Sequence, residues 1–151
     1  LTDIQRAARS LYLIKISFGS DRRTFATAAK AASNISASFS AVQERLRRVV
    51  IEHLDFEQLI HTYDRASALF YCDPPYMGTE RYYSAPFAVA DHERLATVLK
   101  GIKGRFLLSY NDCPAVRELY AGFDIMPLSR KNQLPGKAAN ATFKEVLIRN
   151  Y

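Results

Sequence analysis

The sequence predicts an α/β fold, a sheet with helices packed on its faces, and three observations carry that expectation. Between residues 68 and 149, short strand-like apolar runs alternate with segments of helical period, and the chain closes on a pair of strands. The clearest strand, Ala68-Leu69-Phe70-Tyr71-Cys72, is stopped by Asp73-Pro74-Pro75, as a buried strand entering a rigid turn would be. Internal repeats, low-complexity tails and apolar runs of the 18 or more residues needed to span a bilayer are all missing from the sequence.

Taken in order, residues 3–18 have helical spacing, with Ile4, Ala7, Ala8, Leu11, Tyr12 and Ile14 on one stripe and Asp3 as the expected N-cap. Gly19 to Arg23 reads as an exposed turn, and residues 20–40, rich in Ala, Ser and Thr, as a surface segment. A second helix is expected over 41–47. Val49-Val50-Ile51 is a β-branched run, followed by a short amphipathic helix over Phe56–Tyr63. After the strand at 68–72 comes a Gly- and Tyr-containing loop over 76–90, then a helix over 91–100 with Asp91 as its expected N-cap. Arg105–Tyr110 is the next strand and Pro114–Ala121 the next helix, with Pro in its first turn. Strands around 123–128 and 143–149 are joined by a basic link, Ser129–Ala139.

Composition narrows the function less than the motifs do. The 151 residues suffice for one compact core. Lys and Arg outnumber Asp and Glu by 21 to 15, an excess that suits a polyanionic partner without requiring one. Cys72 and Cys113 form neither a disulfide framework nor a zinc pattern, which points to a reducing cytoplasm. His53, His61 and His92 are isolated and read as surface or packing residues, so no metal is expected. Gly-x-Ser-x-Gly and phosphate-binding glycine loops do not occur.

The informative element is Asp73-Pro74-Pro75-Tyr76, set directly after a strand, where ligands bind in open α/β sheets. Two prolines fix the backbone and remove two amide donors, leaving carbonyl oxygens without competing N–H groups. Such a turn suits a substrate group that only donates, an –NH2. The Asp73 carboxylate can accept one of its hydrogens and the Pro74 carbonyl the other, while Tyr76 offers a flat face to a base. An exocyclic amine is a poor nucleophile because its lone pair is delocalised into the ring, and two aimed acceptors favour the localised form that attacks a sulfonium methyl group. The alternative is an ordinary strand-ending turn with Tyr76 packed. A given tetrapeptide arises by chance in about one chain of this size per thousand, and the preceding strand makes chance rarer.

Leu69 to Tyr76, followed by Tyr82-Tyr83, Phe87, Asp91-His92, Leu95, the run Phe106–Asp112, Val116–Tyr120 and Glu145–Ile148, resembles the Dam-like (D12 class) DNA adenine-N6 methyltransferases, in the family's order. The resemblance implies a Rossmann-like, three-layer S-adenosylmethionine-dependent methyltransferase fold with a mixed sheet. It further implies transfer of a methyl group from S-adenosylmethionine to the N6 amine of an adenine flipped from double-stranded DNA. Carried over by position, Asp73, Pro74, Pro75 and Tyr76 form the catalytic turn, with Asp73 also near the cofactor. Val49–Phe56 resembles the family's third core strand and its end, so Asp55 and Phe56 would flank the cofactor's adenine; equally, Asp55 could cap a helix and Phe56 lie in the core. Residues 1–45 correspond to a helix and part of the target-recognition region, and 46–151 to the C-terminal part of the catalytic domain. Arg22 and Arg23, with Lys30 beside them, would lie on the DNA side.

One departure from the family pattern is its glycine-rich cofactor turn, aromatic-x-Gly-x-Gly, which this sequence does not contain. The expectation is a C-terminal portion of such an enzyme, incomplete at its first strands and binding S-adenosylmethionine poorly alone. Arg130, Lys131 and Lys137 either contact DNA phosphates or form a solvated loop. Asn111 or Asp112 either lines the pocket or, the favoured reading, caps the helix at Pro114. The alternatives are N4-cytosine methylation and a non-catalytic DNA-binding remnant; RNA-base or protein-glutamine methylation is more distant. The family setting is bacterial or phage-encoded, in restriction-modification or regulation, cytoplasmic and at the nucleoid.

Overall fold

The computed structural model describes residues 1–17, Thr24, 39–83, 87–131 and 142–151. The chain divides into two compact units, Leu1–Ile51 and Glu52–Tyr151.

In the first unit, helix α1 spans Asp3–Ile16 and α2 spans Phe39–Leu46. Thr2, not Asp3, caps α1: its hydroxyl accepts the Gln5 amide at 3.3 Å, and the Gln5 side chain returns a 2.9 Å bond from the Thr2 amide. Asp3 is the first helical residue, where its charge favours the positive end of the helix dipole. The expected strand at Val49–Ile51 does not form; these residues stand 42%, 72% and 81% exposed. β-Branched propensity is only a fit to a pleated, half-buried surface, and no ladder receives this run among the described residues.

In the second unit, α3 (Phe56–Tyr63) matches the sequence expectation. The chain then runs through β1 (Leu69–Cys72), a 3-10 turn (Glu80–Tyr82), α4 (Val89–Lys100), β2 (Arg105–Asn111), α5 (Pro114–Leu119), β3 (Asp124–Lys131) and β4 (Thr142–Arg149). Sheet order is β1-β2-β4-β3, parallel between β1 and β2 and antiparallel elsewhere. The parallel pair follows from its connection: a crossover carrying a helix returns the chain to the same end of the sheet.

Register sets the core. Phe70 lies opposite Phe106 and Cys72 opposite Leu108, while Leu108 faces Ile148 and Tyr110 faces Val146. These alternate positions share one face and pack with Ile60, Leu95, Ala96, Leu99, Val116 and Tyr120. On the opposite face Leu69 and Tyr71 are exposed, and a third layer is not among the described residues of this unit. The starts of β1 and β2 approach closely at Gly104, where a Cβ would lie 3.0 Å from the Ala68 and Arg65 carbonyl oxygens. Asp64, ending α3, locks this corner by accepting the Lys103 and Gly104 amides at about 2.9 Å.

Three expected ends shift. Helix α4 begins at Val89, so Asp91 is its third residue, and its carboxylate reaches back to the Ala88 amide at 2.7 Å. The N-cap of α5 is Cys113 with no side-chain cap bond; Asp112 instead pairs with Arg117 at 2.6 and 2.9 Å, and Asn111 is used elsewhere. Ser129, Arg130 and Lys131 belong to β3, not to a link. Among the described residues no helix is long and apolar enough to cross a membrane.

Candidate active site

The site is built at the carboxyl end of β1. Because β1 and β2 run parallel and Cys72 pairs with Leu108, the next residues, Asp73 and Ser109, come side by side. The Ser109 hydroxyl donates to Asp73 Oδ1 at 2.6 Å, which fixes the carboxylate's orientation. Asp73 is exposed, and Oδ2 has no partner among the described residues. It is not sealed in the core. Burial pushes the neighbouring Cys72 thiol up to about 11, so it stays protonated beside the carboxylate.

Asp73 and Pro74 line a cleft of about 600 Å³ together with Leu54, Asp55, Phe56, Leu59, Tyr71 and Phe87. The chain thus brings Asp73, Pro74, Asp55 and Phe56 to one space, although Asp55 and Asp73 lie on separate elements. Asp55 caps α3 through the Glu57 amide at 3.0 Å, as the helix-start reading has it, and it also lines the cleft. Pro75 and Tyr76 are half-buried and outside the cleft lining; the Tyr76 ring sits 6.2 Å from that of Tyr110.

Arg94 organises the Asp55 wall, and nothing in the sequence marked it. Its guanidinium grips Asp55 with two bonds of 2.8 and 2.9 Å, and reaches Glu57 at 3.0 Å and Asp91 at 2.9 Å. It also lies over the Phe56 ring, 4.0 Å from its centroid. The Asp55 carboxyl is held below its usual range, first by Arg94, with desolvation opposing it and the Glu57 amide adding to it.

On the far side, residues after the Pro-Pro pair form a tight turn. The Thr79 amide donates to the Tyr76 carbonyl at 2.8 Å, and Gly78 between them has φ of +86°, which a type II turn needs at its third position. Asn111 of β2 clamps Met77 at both its amide (3.0 Å) and its carbonyl (3.2 Å). Glu80 Oε1 accepts the Gly78 amide at 2.8 Å and bonds His92 Nε2 at 2.9 Å. His92 is fully buried, and its Nδ1 lies 2.6 Å from the hydroxyl of Tyr110, also fully buried. The Gly78 amide, the turn's own backbone and His92, in that order, hold the Glu80 carboxyl at about 2. His92 shares a helical stripe with Leu95 and Leu99, a spacing that could have marked it as buried.

Of the residues expected at DNA, Arg22, Arg23, Lys30 and Lys137 lie outside the described residues, and Arg130 and Lys131 are backbone members of β3. Among the described residues no group of three or more His, Cys, Asp or Glu is placed to hold a metal.

A strand ending in an exposed Asp, two prolines and a cleft lined by Phe56, Tyr71 and Phe87 make up the candidate site of this α/β unit. The D12 class N6 adenine-specific DNA methyltransferase family matches residues 8–134, and the chain belongs to that family. It is therefore of a class of transferases that act on DNA. No curated protein matches the chain.

Proposed function

We propose that the protein methylates the N6 amine of adenine in double-stranded DNA, with S-adenosylmethionine as donor, on a Rossmann-like three-layer fold. In this reading residues 46–151 supply the C-terminal part of the catalytic domain and residues 1–45 part of target recognition. The observation that carries it is the meeting of Asp73 and Pro74 with Asp55 and Phe56 in one cleft.

The residues present fit the donor's purine end. The cleft is within the size range of cofactor pockets and mostly apolar, and Phe56 supplies a ring to lie against. Asp55 is held in place at the cleft by the Glu57 amide and two Arg94 bonds. When bound, S-adenosylmethionine supplies a methyl group activated by a sulfonium charge. The chain's own work is on the amine. Asp73, oriented by Ser109, accepts one amine hydrogen on Oδ2, and the Pro74 carbonyl accepts the other. Together they localise the nitrogen lone pair, an electrostatic effect prepared before the reaction begins. Leu54, Leu59 and Phe87 make the lining beside Asp73 apolar, so a ligand that covers it strengthens both hydrogen bonds. The six-unit positive charge supports a polyanionic partner, with Arg22, Arg23, Arg130, Lys131 and Lys137 as its phosphate contacts.

Transfer of radiolabelled methyl groups to unmethylated duplex DNA tests this, followed by digestion to nucleosides. N6-Methyladenine is expected, and Asp73→Ala should lower the rate by about 100-fold or more. N4-Methylcytosine as product, or a rate indifferent to Asp73, would overturn the reading.

A further inference from the structure

We propose that Glu80, His92 and Tyr110 act as positioning residues that hold the aromatic wall formed by Tyr76, so that a flipped base meets a preset surface; this rests on the reading of the Asp73–Tyr76 turn given above. Three elements converge. Glu80 belongs to the loop that follows the turn, His92 to α4 and Tyr110 to β2. Glu80 Oε1 joins the Gly78 amide of the tight turn to His92 Nε2, and His92 Nδ1 joins the Tyr110 hydroxyl. Tyr110 in turn packs against Tyr76, with ring centroids 6.2 Å apart. The chain therefore begins at the backbone two residues beyond Tyr76 and ends beneath its ring. It closes a loop of contacts around Tyr76, the residue that the proposed reading sets against the base.

The chemistry of the members fits a fixed support. With His92 neutral, Nε2–H donates to Glu80 and Nδ1 accepts from the Tyr110 hydroxyl, so all three buried or half-buried polar groups are satisfied at once. Met77 is held separately by Asn111, which leaves Tyr76 between two clamped neighbours: the proline pair on one side and Met77 on the other. A ring so confined cannot swing away when a base leaves its stack, and misplacement of reacting groups by about 1 Å can cost on the order of 100-fold in rate.

Glu80→Ala is the first test, because Glu80 is at the more exposed end of the chain and its loss leaves the core intact; its side chain is 22% exposed. Glu80→Gln is the rescue, since an amide oxygen still accepts both N–H groups. His92→Phe, which keeps the ring against Phe87 but removes both nitrogens, is the second variant. Two readouts are taken on the full chain. Hydrogen exchange at the Gly78 and Thr79 amides should quicken by about tenfold or more, over and above any change in β2 and β4, in Glu80→Ala and His92→Phe. Methyl transfer to unmethylated duplex DNA should show kcat reduced by about ten- to a hundredfold with KM for DNA unchanged, and Glu80→Gln should stay within a few-fold of the wild type. Unchanged exchange, or full kcat in both disrupting variants, overturns this inference while leaving the site reading intact. A wild-type chain that transfers no methyl group to DNA even with S-adenosylmethionine in large excess, enough to offset weak binding, overturns the site reading, and this inference falls with it.

Discussion

The two walls that flank the Asp73-Pro74 turn, the cleft wall at Asp55 and Phe56 and the side beyond Tyr76, are held by opposite means. The wall carrying Asp55 and Phe56 is fastened by charge at the surface: Arg94, Asp55 and Glu57 are 37%, 49% and 39% exposed. The far side, from Tyr76 to Glu80, is fastened largely from beneath, by His92 and Tyr110 with no exposure at all and by the Asn111 amide. Exposed ion pairs are weakened by salt and tolerate adjustment, whereas a buried hydrogen bond either forms well or leaves a costly orphan. One wall can yield to a ligand that comes and goes, and the other keeps a fixed shape for the group that reacts.

Variants on each wall sharpen the contrast. Tyr110→Phe removes a single oxygen and leaves a buried imidazole nitrogen without its partner, a loss of about 1–3 kcal/mol. In a unit of this size each kcal/mol lowers the melting temperature by roughly 4–8 °C, and calorimetry should find the drop as large in 1 M salt as in dilute buffer. Arg94→Met should destabilise less, because Asp55, Glu57 and Asp91 can each turn to water. Its deficit should shrink as salt rises, since the carboxylates it leaves behind no longer repel one another. Equal salt dependence in the two variants would erase the distinction between the walls.

Acid should separate them more gently. Glu80 in the folded chain titrates at about 2, below the 4.5 of a free glutamate, so the unfolded chain binds its proton first as pH falls. The stabilisation is complete above the ordinary value and is lost as pH drops through the folded one. Glu80→Gln should therefore show a shallower loss of denaturation midpoint between those limits than the wild type. Asp55 and Asp91 are lowered in the same direction by Arg94 and backbone amides, so part of the acid limb should survive that substitution.

Much of the fold was legible because local pattern and tertiary demand agree there. Phe56–Tyr63 carries its own stripe and its own cap, and β1 is followed by a proline pair, which a strand inside the sheet does not accept, whereas edge strand β3 does accept Pro127. Val49–Ile51 misled because a strand is a paired object, and propensity says nothing of whether a partner is present. Asp3 and Asp91 were placed at caps that lie one and three residues earlier, since a carboxylate in the first turn satisfies the same amides from inside the helix. At the site, Asp73 and Pro74 could be read because their chemistry is compressed into four consecutive residues. Asn111 and Met77 are 34 residues apart, and Arg94 and Asp55 are 39 apart. Nothing in a linear pattern of charge or hydropathy brings such pairs together; only the parallel register of β1 and β2 and the packing of α3 on α4 do.

Strand β1 pairs on one side alone among the described residues, with Leu69 and Tyr71 61% and 65% exposed beside its open border. Backbone donors and acceptors along such a border, next to exposed apolar side chains, are what a further strand pairs with. The segment that leads into Asp73 therefore has an apolar border beside it, and if copies of the chain pair along that border, concentration should reveal it. Activity lost with rising protein concentration, while circular dichroism gains extended structure, is the signature such pairing would leave.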